Sequence, residues 1–145
     1  MGKTQDLSRQ VIAALRGRRS SNGTIPAIGS VELLESLGYQ PSHYAVALGQ
    51  AASLLDAACL IQHLPWLGRL VVFGGKRPEF EGAWAPWAPH MATIIEAPAI
   101  RSWSDQDLAR VSTGLPHVGA AKWWQDRELQ SSALLQEALI AAQQP

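Results

Sequence analysis

The sequence predicts an α+β fold, mostly helical, with a winged-helix-like core, a small antiparallel sheet and a helical C-terminal cover. Three observations carry this. Residues 42–73 read as a long apolar helix, a tight turn at Leu64-Pro65-Trp66 and a short strand over 69–73. Two shorter helical patterns precede that stretch. A second strand pattern, Met91–Glu96, follows a loop rich in glycine and proline, and that loop occupies the position of a wing.

The chain has 145 residues, the size of one domain, long enough to bury a real core. Residues 1–97 read as the core and 98–145 as the cover. A hydrophobic share of 47% with 17% charged residues argues against disorder. Twelve Lys+Arg balance 12 Asp+Glu, so any nucleic-acid surface has to be local. A single cysteine, Cys59, excludes an intramolecular disulfide and a cysteine-based metal cluster. The first ten residues lack the apolar stretch of a signal peptide, and no uninterrupted apolar run of 18 residues predicts a membrane span. The expected location is the cytoplasm.

Residues 6–19 carry the first helical pattern. Asp6 is its expected N-cap, and Leu7, Val11 and Leu15 recur four apart, with Ile12 beside them. Arg16, Arg18 and Arg19 crowd its end. They suit a solvated helix C-terminus, where cations meet the dipole, and equally a phosphate-contacting flank. Ser30 is the expected cap of a short helix over 31–37, which Gly38 ends. Pro41 or Ser42 then starts the long helix, with Tyr44, Leu48, Ala51, Leu55 and Ala58 at helical spacing. Two short helices, a turn, a third helix and a strand follow the order of a winged helix-turn-helix. On that reading the first turn of the third helix, Ser42, His43 and Tyr44, meets the duplex. The plain alternative is that His43 is an ordinary exposed side chain. Cys59, amid apolar residues and away from any helix N-terminus, reads as a small buried hydrophobe rather than a reactive thiol.

Residues 69–73 (RLVVF) have the β-branched content of a buried strand. The loop after them holds Lys76 and Arg77, then Phe80, Trp84 and Trp87. A basic tip with aromatics suits phosphate contact and stacking. The competing reading folds the tryptophans back as a lid on the core. Further on, Trp103-Ser104-Asp105-Gln106-Asp107-Leu108 is the clearest local signal. Ser104 and Asp107 form a capping box, and Trp103 staples onto Leu108. That helix is expected to run to about Ser112, with Gly114 and Pro116 ending it. Trp123 and Trp124 point about 100° apart if helical, one inward and one at an edge. The last helix is expected over 126–143, with Leu135, Ala138, Leu139 and Ala142 as its stripe, either closing the core or offering a partner groove.

No chemistry of catalysis is visible. His43, His63, His90 and His117 are scattered, and none pairs with Cys, Asp or Glu at metal-ligand spacing. Gly74-Gly75-Lys76 lacks the frame of a phosphate-binding loop, and no Gly-x-Ser-x-Gly is present. The sequence therefore predicts no enzyme, no cofactor and no metal.

Residues 25–82 carry Ile25-Pro26 before a helix, Leu48-Gly49 in the long helix, Leu64-Pro65-Trp66 with Arg69 and Val71-Val72, and Gly74-Gly75 after. This resembles the DNA-binding half of the alkyltransferase-like proteins, relatives of DNA alkyltransferases that bind DNA without repairing it. In that family a Pro-Trp or Pro-Cys pair runs directly into an Arg-Val-Val strand. Here Leu67 and Gly68 intervene before Arg69, and Leu70 splits Arg69 from Val71. Trp66 stands where a nucleophilic cysteine would, and no arginine precedes Ala47-Leu48-Gly49 as a base-displacing finger. The stretch is also similar to small uncharacterised prokaryotic and phage proteins with an Ala-Leu-Gly helix and a Leu-Val-Val strand. The resemblance implies a winged-helix-like core and does not carry over lesion binding.

The expected function is non-enzymatic nucleic-acid binding by a small protein of bacterial or phage type. DNA would meet Arg16, Arg18, Arg19, Ser42, His43, Tyr44, Lys76 and Arg77. The alternative is a protein-interaction module, such as a phage-encoded inhibitor of a host defence complex, using Phe80, Trp84 and Trp87.

Overall fold

In a computed structural model, residues 3–74, 82–118 and 121–143 are described. The chain is mostly helical, with one two-stranded sheet among the described residues. Helix α1 spans Lys3–Gly17 and buries Leu7, Val11, Ile12 and Leu15 along one stripe. Asp6 lies inside its first turn, not at the cap, and pairs with Arg9 at 3.6 Å. Ser8 is buried in the same face, and its Oγ donates to the carbonyls of Thr4 and Ala51, a tie between α1 and the long helix.

Strand β1, Ile28–Gly29, leads straight into α2, Ser30–Ser36. Gly29, not Ser30, occupies the cap position, and no side chain caps it. At its other end α2 closes as a Schellman turn: Gly38 N–H donates to Glu35 at 3.0 Å and Tyr39 N–H to Leu34 at 2.9 Å. Gly38 sits at φ 83°, a conformation a side chain would resist. After the turn Leu37–Gln40, Pro41 opens α3, Pro41–Ile61, from the one position where a missing N–H costs nothing.

Helix α3 is the axis of the molecule. From Leu54 to Leu60 every residue is buried, because α1, α2 and the later helices Asp105–Val118 and Ser131–Ala142 all pack on it. By length and composition it could cross a membrane, with a mean hydropathy of 1.5 despite its interspersed polar residues. Some 56% of that window is buried inside the protein, as befits a core helix.

The expected strand over 69–73 is mostly not a strand. Residues Leu67–Leu70 form a 3-10 turn that buries Leu67 and Leu70, three apart. Gly68 makes that turn possible: a Cβ there would overlap the Ala52 carbonyl and the Asp56 carboxylate. Only β2, Val71–Val72, is extended, and it pairs with β1 in parallel, Ile28 opposite Val71. The expected antiparallel sheet is therefore corrected. Its second strand, Met91–Glu96, is helix α4, which buries Met91 and Ile94 at helical spacing. The hairpin of a wing is not formed by these segments. A parallel pair needs a long crossover, which α2 and α3 supply.

The C-terminal half covers α3. Helix α5, Asp105–Val118, opens with the expected capping box: Asp107 N–H donates to Ser104 Oγ at 3.0 Å, and Ser104 N–H to Asp107 Oδ2 at 3.1 Å. Trp103 and Leu108 are both buried, as a staple requires. The helix runs past Gly114 and Pro116. Gly114 is used for approach: a Cβ there would press on the Ala58 carbonyl at 3.0 Å. The expected last helix is divided. A 3-10 segment, Gln125–Gln130, is broken at Arg127, whose guanidinium lies over the Trp123 ring at 4.0 Å. Helix α6, Ser131–Ala142, then buries Leu135, Ala138 and Ala141 against α4 and α3, so it closes the core.

Candidate functional site

Residues proposed from sequence fall into three places. The first is the N-terminal half of α3. Packing on α3 begins at Leu48, so Ser42, His43, Tyr44, Ala45 and Val46 are exposed. Tyr44 is anchored at one side by Tyr39, with ring centroids 4.4 Å apart, and Tyr39 Oη donates to Gln10 of α1 at 2.8 Å. The exposed segment carries no lysine or arginine. Glu32 and Glu35 of α2 are exposed as well.

The second place is the end of α1. Arg16 and Arg19 converge on Asp105 at the start of α5, at 3.1 and 2.6 Å. Arg19 also donates to the Trp103 carbonyl at 3.1 Å. Arg18 turns elsewhere and donates to the Ala27 carbonyl at 3.4 Å. The three arginines thus act largely as staples between α1, the β1 approach and α5. Arg9, Arg16 and Arg19 rim a shallow open groove between α1 and α5, with Asp105 already in it.

The third place is the aromatic region. Trp87 is fully buried, and its Nε1 donates to the Ser131 carbonyl at 3.2 Å, so it is a core residue and not a surface anchor. Trp66, Trp84, Trp87 and Trp124 pack on one another with centroids 5.3–6.4 Å apart. Trp123 is buried and Trp124 lies at the edge, their planes 86° apart, the division adjacent helical positions predict. Trp84 and Trp124 are half-buried. Trp66, Trp84, Trp87 and Trp124 therefore form one packed cluster, with Trp84 and Trp124 at its half-buried edge. Lys76, Arg77 and Phe80 lie outside the described residues.

Sequence reasoning missed the best-defined polar feature of the interior. Asp56 of α3 is buried, and Arg69 Nε reaches its Oδ2 at 3.1 Å. Burial pushes the Asp56 carboxyl up to about 6, against the opposing pull of Arg69 and of the Gly68 backbone. Arg69 also lies over the Trp66 ring at 5.4 Å. Next to it, Cys59 Sγ accepts from the Leu67 N–H at 3.3 Å, and burial pushes its thiol well above the usual range. The available signal is a lone Asp in an apolar helix; a strand over 69–73 does not aim Arg69 at it, whereas the 3-10 turn does. The pair ties the 3-10 turn to α3. Among the described residues, no group of three His, Cys, Asp or Glu side chains could hold a metal.

Comparison with family models, with curated proteins and with solved structures finds no match.

Proposed function

We propose that this chain is a non-enzymatic nucleic-acid-binding protein that presents the N-terminal half of α3 to a duplex. One observation carries the reading: α2, a four-residue turn with Gly38 in the left-handed conformation, and α3 with its first turns bare. A helix-turn-helix joins its two helices by three or four residues, often with a glycine, and its second helix enters the major groove by its N-terminal residues. The resemblance of residues 25–82 to alkyltransferase-like proteins points the same way. Of the winged-helix expectation, this keeps the helices and not the hairpin. The proposed setting is the cytoplasm, for a protein of bacterial or phage type.

The test is fluorescence anisotropy of a labelled duplex of mixed sequence at several salt concentrations. Binding at low salt that weakens as salt rises is expected. No binding at low salt overturns the reading.

A second reading, a protein-interaction module, is favoured by the exposed Glu32 and Glu35, which repel phosphate, and by the exposed apolar side chains Tyr44 and Val46 on α3. Its anchors are then on α3 and not at Trp87. Such an interface responds little to salt, since aromatic and apolar anchors dominate its energy.

A further inference from the structure

We infer that the exposed stripe of α3 reads A·T base pairs in the major groove, with Gln50 as the adenine reader and Val46 as the contact for the thymine methyl. This rests on the nucleic-acid reading above and adds a base preference to it. Ser42, His43, Val46, Gln50 and Ser53 are all exposed, and their spacing puts them on one side of a helix at 3.6 residues per turn. Leu48, Ala51, Leu55 and Ala58 take the other side into the core. At about 1.5 Å per residue the stripe is roughly 16 Å long, enough to cross a major groove about 12 Å wide.

The stripe has a one-sided chemistry. Guanine is read by Arg or Lys, and the cytosine amino group by Asp or Glu. None of these four residue types occurs between Ser42 and Ser53. Adenine is read by the side-chain amide of Asn or Gln, which matches its N6 donor and N7 acceptor together. Gln50 offers that amide, and no hydrogen bond within the described residues engages it. One turn earlier Val46 is 77% exposed, an apolar branched side chain that none of the described residues covers. Thymine is the base that presents a methyl group in this groove. Between them Gly49 has open space where a Cβ would stand, so the backbone can approach closely. Ser42 and His43 can each donate and accept and do not discriminate on their own.

The experiment is anisotropy of the full chain at one low salt concentration with three labelled duplexes of equal length: A·T-rich, G·C-rich, and the A·T-rich duplex with deoxyuridine replacing thymidine. Tighter binding of the A·T duplex over the G·C duplex is expected, by about 5- to 150-fold for one good base-specific contact. Deoxyuridine should weaken binding several-fold, and Val46→Ala should no longer distinguish it from thymidine. Gln50→Ala should weaken binding to the A·T duplex more than to the G·C duplex, leaving only the several-fold preference that Val46 supplies. Both side chains are exposed, so the two variants should unfold at the parent midpoint. Equal affinity for all three duplexes overturns the base assignment alone, as does a Gln50→Ala variant weakened equally on A·T and G·C. Absence of binding to every duplex overturns the nucleic-acid reading and the assignment with it.

Discussion

Asp56 shows how one buried residue sets a pH dependence. Its carboxyl is raised to about 6 in the folded protein by burial, against an ordinary value of 3.8. Folding therefore favours the protonated form. The contribution is fully present below about pH 4 and is lost as pH rises through 6, to the extent of about 3 kcal/mol. Urea midpoints measured between pH 4.5 and 7.5 should fall with rising pH by more in the parent than in Asp56→Asn. Parallel profiles for the two proteins would show that Asp56 is not the titrating group. Cys59 is the contrasting case. Its Sγ is sealed in the core and accepts the Leu67 N–H, so it is a packing and hydrogen-bonding atom. Cys59→Ala should cost about 1–3 kcal/mol, the penalty for leaving that N–H unpaired, and should leave binding intact. Loss of binding in a folded Cys59→Ala protein would contradict the inert-thiol reading.

At the scale of elements, local rules were legible where a single residue type fixes a backbone need. Gly38 ends α2, Pro41 starts α3, and Ser104 with Asp107 caps α5, each as the sequence implied. Trp103 belongs to the same signal. It is buried to 1% exposure, donates from Nε1 to the Pro98 carbonyl at 2.9 Å and carries Arg101 over its ring at 4.7 Å. Trp103→Ala should destabilise the domain by about 3–5 kcal/mol, the range for a buried aromatic. An unchanged thermal midpoint would sink the staple. Strands were illegible for a physical reason. Thr93, Ile94 and Ile95 have β-branched side chains, but Met91 and Ile94 are the two that find the core, and that spacing is helical. Val71 and Val72 pair with Ile28 and Gly29, far back in sequence, a register no local pattern encodes. The exposed half of α3 was visible as candidate first-turn residues. Gln50 and Val46 are set apart by exposure, which the sequence pattern of an alanine-rich helix does not encode.

The whole molecule is neutral, and its charges are mostly spent on itself. Arg9, Arg16, Arg19, Arg69, Arg101 and Lys122 all pair with carboxylates, and Arg18, Arg110 and Arg127 donate to backbone carbonyls. That leaves few cations for phosphates, so a duplex held by this protein should show a shallow salt dependence. Each phosphate neutralised contributes about 0.9 to the slope of log affinity against log salt. Lys76 and Arg77 follow β2 in sequence, in a segment that also holds Glu79 and Glu81. If they supply the contacts, neutralising both should weaken every duplex alike and flatten the slope by about one to two units. The base preference of α3 should survive, because phosphate contacts position a protein without reading sequence. Should the partner be a protein instead, Lys76 and Arg77 should matter little, while Tyr44→Ala or Val46→Ala should cost more, since anchoring side chains carry interface energy. Anisotropy across salt for the double variant separates the outcomes: an unchanged slope with binding retained would remove Lys76 and Arg77 from the phosphate contacts and leave α3 to carry the affinity.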